Sequence, residues 1–255
     1  VLTALLLALV GLADLARTHL GRPVAAGTIV VLWMGAVLSA VLGLGAPPLG
    51  VAIVAVLSGA WLLLTTTAAG TRPPGGLRPA VGLVVAVLVL SVADRAAGSA
   101  AGPLVDAYAG LGRSGPIPPI AQALLAGGAA LFLLESANVV VRAALYRELP
   151  QPVAARSRFS LRARFARPAP QEVRVPDLRG GRAIGPLERL LVAGLTLAGA
   201  IGLAGAVFAA KGIVRFPEIS RDGEGGSKAE YFLVGSLVSW ALALGAAALV
   251  ATAGG

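Results

Sequence analysis

Residues 120–145 read IAQALLAGGAALFLLESANVVVRAAL, and this stretch decides the fold. Its 26 residues carry two charges, Glu135 and Arg142. A helix needs about 20 apolar residues to cross the hydrocarbon core of a bilayer. A water-facing helix keeps one polar face, and this stretch has none. Working outward, further apolar blocks lie at about 2–20, 25–44, 51–69, 80–97, 184–210 and 231–251. The whole chain is 57% hydrophobic and 13% charged, against about 25% charged in a soluble domain. Mean hydropathy is +0.85. The prediction is an all-α polytopic transmembrane helical bundle of about seven spans.

The breaks between blocks use turn chemistry. Pro47-Pro48 with Gly45 and Gly50 separates the second and third blocks, and Pro73-Pro74-Gly75-Gly76 the third and fourth. Proline cannot continue a helix and glycine opens a turn. The first block has no charged leader and no A-x-A-like site, so it is expected to remain as a span. Three units follow: a five-helix membrane bundle over 1–145, a basic loop over 146–183, and a transmembrane hairpin over 184–255.

Charge orients the bundle. Arg17 and Arg22 lie between spans one and two, and Arg72 and Arg78 between three and four. Eleven arginines face four acids from Arg142 to Arg189. With seven alternating spans these three regions share a side, and the other loops are near neutral. The positive-inside rule makes that side cytoplasmic. The expected topology has the N-terminus outside, the Lys211–Glu230 loop outside and the C-terminus in the cytoplasm. Abundant Ala, Gly, Val, Arg and Leu with only two Lys fits a GC-rich bacterial genome. The expected location is therefore the bacterial inner membrane.

The basic loop holds Arg156, Arg158, Arg162, Arg164 and Arg167, interleaved with Phe159, Leu161 and Phe165. Prolines divide it and it is too short to bury a core. It serves either as an orientation determinant or as a contact for anionic lipid headgroups, at about 1 kcal/mol per arginine near the surface. Nucleic acid is not an expected partner, because no aromatic platform surrounds the arginines. Membrane lipids, a protein partner or a second copy are.

Ionisable residues within spans are costly and face the bundle interior. Asp14 and Arg17 are i,i+3 neighbours and can neutralise one another, with His19 close by. That leaves span one the shortest or most interfacial. Asp94-Arg95 ends span four. Glu135, Asn138 and Arg142 fall on one helical face, and Glu188, placed near the cytoplasmic interface, is at a depth to pair with Arg142. Two roles compete for this stripe: a polar seam locking helices together, or a polar path for a transported solute.

The C-terminal region carries three motifs: GGRAIGPLERLL at 180–191, AAKGIVRFPEI at 209–219 and AEYFLVGSLVS at 229–239. Together they resemble a family of uncharacterised bacterial polytopic membrane proteins with the pattern GR-x-IG-x-LER-L, AAK-x-I-x-RF-x-E and AEY-x-L-x-G-(S/T)-L-x-S. The resemblance spans about a quarter of the chain and implies a membrane protein without assigning an activity. Lys211, Arg215 and Glu218 form an i, i+4, i+7 stripe if the helix continues past Ala210, and Glu230 can return to their level. This cluster is expected to act as a structural clasp or as an anion or headgroup site.

The chain has no cysteine and one histidine, which excludes disulfides, thiolate chemistry and histidine metal clusters. It has no P-loop, GxSxG or HExxH motif, and no lysine within 232–251 to hold retinal. No cofactor, metal or catalytic residue is predicted. The sequence fits best a non-enzymatic membrane component or assembly partner. Alternatives are a solute or lipid transporter using Glu135, Asn138 and Arg142, and a lipid-headgroup-modifying enzyme using the 211–230 region.

Overall fold

A computed structural model describes residues 1–68, 75–112, 117–148, 181–220 and 227–253. The basic arginines Arg156, Arg158, Arg162, Arg164 and Arg167 lie outside the described residues. Every regular element described is helical. In chain order these are α1 (Leu2–His19), α2 (Arg22–Leu38), a π-helical turn π1 (Ser39–Gly43), α3 (Pro48–Leu64), α4 (Arg78–Ala97) and a short α5 (Pro103–Leu111). Then come α6 (Ile120–Leu131), a second π turn π2 (Phe132–Ser136), α7 (Ala137–Glu148), α8 (Gly181–Leu197), α9 (Ile201–Ser220) and α10 (Ser227–Ala251). Prolines open α2, α3, α4 and α5 within their first turn, where the missing N–H costs nothing and φ is preset.

Five stretches are long and apolar enough to cross a membrane: Leu2–His19, Arg22–Gly43, Arg78–Ala97, Ile120–Leu145 and Ala229–Ala251. Apolar stretches Pro48–Leu64 and Ile201–Val214 are shorter. The chain is thus an all-helical protein with the apolar helices of a polytopic membrane protein.

Helix α1 is the hub. It packs on α2, α3, α4, α6 and π2, and two thirds of its length is buried. The sequence made this segment the short or interfacial one; at 18 residues it is the shortest of the five long apolar stretches. Its charges look inward because neighbouring helices surround them. By contrast only 11% of α2 with π1, and 11% of α4, is buried.

A close backbone approach joins α1 to α6. A Cβ on Gly11 would lie 2.6 Å from the Leu131 carbonyl carbon, and one on Gly128 would lie 2.5 Å from the Ala4 carbonyl oxygen. Glycine lets the two backbones meet, as small residues do in membrane helix packing. The pairs Ala4–Gly128 and Gly11–Leu131 ascend together, so α1 and α6 run in the same direction. Helix α10 runs against them: Gly235 faces Leu145, and the Gln122 amide donates to the Val250 carbonyl. Its last turn therefore ends level with the start of α6 and α1.

The block at 184–210, expected as one span, is two helices. The Ala200 N–H donates to the Leu195 carbonyl at 2.8 Å, and the Gly199 N–H to that of Thr196 at 3.1 Å. Gly199 sits at φ +72°. This is a Schellman ending: a left-handed residue closes α8 and the 6→1 and 5→2 bonds satisfy its last carbonyls. The chain then folds back. Glu188, eleven residues before the turn, meets Lys211, twelve after it, at 2.7 Å. Helices α8 and α9 are thus antiparallel, and Lys211 lies level with Glu188. It is not at the opposite end of a long span, as the sequence implied.

Candidate functional site: a polar layer at the bundle centre

Arg189 is at the heart of the layer and is 2% exposed. Its Nε donates to the Leu133 carbonyl at 2.9 Å and one terminal nitrogen donates to Asn138 Oδ1 at 2.8 Å. Longer bonds of 3.4 Å reach the Leu134 carbonyl and Ser239 Oγ. Leu133 and Leu134 belong to π2. A π turn departs from the i→i+4 ladder, so its carbonyls are open to side-chain donors. The planar guanidinium, with five N–H donors in a fixed fork, serves two of them together with Asn138 and Ser239. Buried backbone groups need partners, and Arg189 supplies them for the Leu133 and Leu134 carbonyls.

Glu135 also belongs to π2 and is 6% exposed. Asn138 Nδ2 donates to its carboxylate at 3.4 Å and to the Leu134 carbonyl at 3.3 Å. The spacing of Glu135 and Asn138 did place them together. Asn138 links Glu135 to Arg189, accepting from the guanidinium while its amide donates to the carboxylate. Helix α8 starts at Gly181, so Glu188 and Arg189 are about two turns along it.

Glu188 is held by Lys211 and Trp240. Its carboxylate accepts Lys211 Nζ at 2.7 and 2.8 Å from its two oxygens, and the Trp240 indole N–H at 2.7 Å. The Trp240 ring meets Phe208 with centroids 4.3 Å apart, and Lys211 Nζ lies 5.5 Å from the Trp240 centroid. The clasp therefore ties α8, α9 and α10 together. Helix α9 does continue past Ala210 to Ser220, as the Lys211, Arg215, Glu218 stripe requires. The side chains of Arg215 and Glu218 lie outside the described residues, and Glu230 is exposed on the first turn of α10.

Two further charge sites use the same logic at helix ends. Asp94, near the end of α4, accepts the Leu2 and Thr3 N–H groups at 2.9 Å each and the Thr3 hydroxyl at 2.8 Å. These are orphan donors of the first turn of α1. Arg17 donates to the Leu62 and Thr65 carbonyls at 3.0 and 3.2 Å, the orphan acceptors at the end of α3. Its other nitrogen bonds Thr65 Oγ1 and pairs with Asp14. Asp14, fully buried, also accepts the Trp61 indole N–H at 2.9 Å. The i,i+3 neutralisation of Asp14 and Arg17 thus forms inside the bundle. His19 Nδ1 lies 3.0 Å from the Leu15 carbonyl on the exposed end of α1.

The sequence missed Trp61, Thr65, Ser239 and Trp240 as partners. Their signal was available: indoles and hydroxyls within apolar spans need acceptors. Between α6, α8 and α10 there is also an apolar crevice lined by Ala129, Leu133, Ala193, Gly194, Ala247 and Val250, among others. Among the described residues no three His, Asp or Glu side chains converge to hold a metal ion. Comparison with family models, with curated proteins and with solved structures gives no match.

Proposed function

We propose that this chain is a non-catalytic integral component of a bacterial inner membrane, an assembly partner whose membrane charges are structural. One observation carries this reading: Asp94, Arg17 and Arg189 each serve backbone groups of another helical element. Glu188 and Asp14 are each held by a cation and an indole. Such groups have partners that do not depend on a passing solute.

The orientation follows from the fold-back. Counting α8 and α9 as separate passes gives eight, with both chain ends on one side. The regions around 17–22, 65–78, 146–183 and 221–230 then share the other side. They hold most of the basic residues, and the positive-inside rule makes that side cytoplasmic. The first side keeps Arg95 and Arg113 balanced by Asp94 and Asp106. The C-terminus is then outside and the connection between α9 and α10 inside, the reverse of the seven-span expectation. The basic loop with Arg156 to Arg167 faces anionic headgroups of the inner leaflet.

Transport is the second reading, favoured by the π turn around Glu135, since π-bulges recur at functional sites. The chain lacks cysteine, so single thiols separate the two. Ser136→Cys and Ser239→Cys are treated in membranes with a membrane-impermeant maleimide. The scaffold reading expects no labelling until the membrane is denatured. Labelling of either thiol in the native membrane, blocked when Arg189 is replaced by a bulky apolar residue, supports a hydrated path and rejects the scaffold.

A further inference from the structure

Two exposed helices offer the bilayer different lengths of uncharged surface. Along α2 and π1, residues 23–43 carry no charge, which is about 32 Å of helix, and little of it is buried. That length matches a hydrocarbon core of about 30 Å. Along α9 the uncharged part is 201–210, about 15 Å. Lys211, Arg215 and Glu218 then follow at i, i+4 and i+7, one charge per turn towards the end of the helix. Helix α9 is also open to its surroundings. Over residues 201–214 only Ala204 is buried, and Ile201, Leu203, Ile213 and Val214 are exposed.

Lys211 stands midway through the membrane part. Trp240, whose indole donates to Glu188 beside it, is midway along the 25-residue α10. A lysine at such a depth ordinarily stretches its flexible stem to the interface. This one is bonded back to Glu188 at its own level, and a quarter of its side chain stays exposed. Where a charged group is held at that depth, local thinning of the bilayer and water defects lower its cost. A short hydrophobic stretch is met by the same thinning.

We propose that the α9 flank is a bilayer-thinning surface: headgroups and water of the cytoplasmic leaflet dip to the Lys211 turn there, while that leaflet keeps its full depth along α2. The inference rests on the scaffold reading with its eight-pass orientation and names the lipid contact of that reading. The partner is the polar surface of the inner leaflet. Arg215 and Glu218 lie one and two turns nearer the cytoplasm and continue the track from Lys211 to the interface. The track carries both signs of charge, so it fits the phosphate and the ammonium of a zwitterionic headgroup.

Nitroxide labels on single cysteines in the full chain test this in phosphatidylethanolamine–phosphatidylglycerol vesicles. The positions are Ile201, Ala206 and Ile213, all exposed on α9, and Val31, exposed midway along α2 with π1. The reading is collision of each label with a water-soluble nickel chelate. The expected profile is high at Ile201→Cys, low at Ala206→Cys and high again at Ile213→Cys, with Ile213→Cys several-fold above Val31→Cys. Lys211→Met combined with Glu188→Met is expected to lower the Ile213→Cys value several-fold, and an unchanged value overturns the proposal. The single-cysteine profile with the clasp intact decides the matter if that double variant fails to fold. Ile213→Cys as protected as Val31→Cys, with Ile201→Cys still accessible, overturns the thinning alone and leaves the fold-back standing. A continuous rise from Ile201→Cys through Ala206→Cys to Ile213→Cys belongs to a single span over 184–210 and overturns the orientation beneath the proposal. Labelling at Ser136 and Ser239 decides the scaffold reading separately.

Discussion

Arg189 shows what one residue does when the medium offers no water. It bridges π2, α7 and α10 through backbone and side-chain acceptors. Arg189→Lys keeps the charge but loses the planar fork, and an ammonium cannot reach the same acceptors together. The expected loss is on the order of 3 kcal/mol, the range for breaking a buried charge site. It is measured as reversible unfolding in mild detergent. An unchanged unfolding midpoint would show that π2 carries its own carbonyls. At this scale the sequence was partly legible. Glu135, Asn138, Asp14 and Arg17 were visible as charges or amides within spans, and their helical spacing set two of the pairs. The choice of Glu188's partner was not visible. Lys211 meets Glu188 only because the chain folds back between α8 and α9.

Among the elements, the α1–α6 contact sets the bundle. Gly128→Ala places a methyl 2.5 Å from the Ala4 carbonyl oxygen. Overpacking of this kind costs about 1–3 kcal/mol, and here backbone, which yields less than a side chain, must move. The variant is expected to unfold earlier in detergent than Gly127→Ala, its neighbour, whose Cβ would meet nothing within 4 Å. Equal stability of the two would contradict the close approach. Most elements were legible from hydropathy and proline: α2 to α4, α6 with α7, and α10 begin or end within a few residues of their apolar blocks. The α8–α9 break was not. Ala198, Gly199 and Ala200 are as apolar as the helices they join, so a hydropathy count passes through them. The break lies in the left-handed backbone of Gly199, and glycine elsewhere in these spans stays helical. The π turns leave no compositional trace either. The burial of α1 was not legible, because its charges gave no sign that Trp61, Thr65 and Asp94 of other elements supply its partners.

For the molecule as a whole, the fold-back changes more than a count. One core runs from Leu6 and Leu9 of α1 through Leu133 to Ala193 of α8 and Ala247 of α10, so the first and last parts of the membrane region pack as one body. In the eight-pass orientation proposed above, the connection between α9 and α10 comes to the same end as the arginine-rich loops. The most direct measurement uses single cysteines at Ala200, Gly225 and Ala253 in the cysteine-free chain, labelled from one side of sealed, oriented membranes. The account predicts that Ala200→Cys and Ala253→Cys react from the outside and Gly225→Cys only from the cytoplasmic side. Gly225→Cys reacting from outside with Ala253→Cys protected would restore a single span over 184–210 and contradict the hairpin.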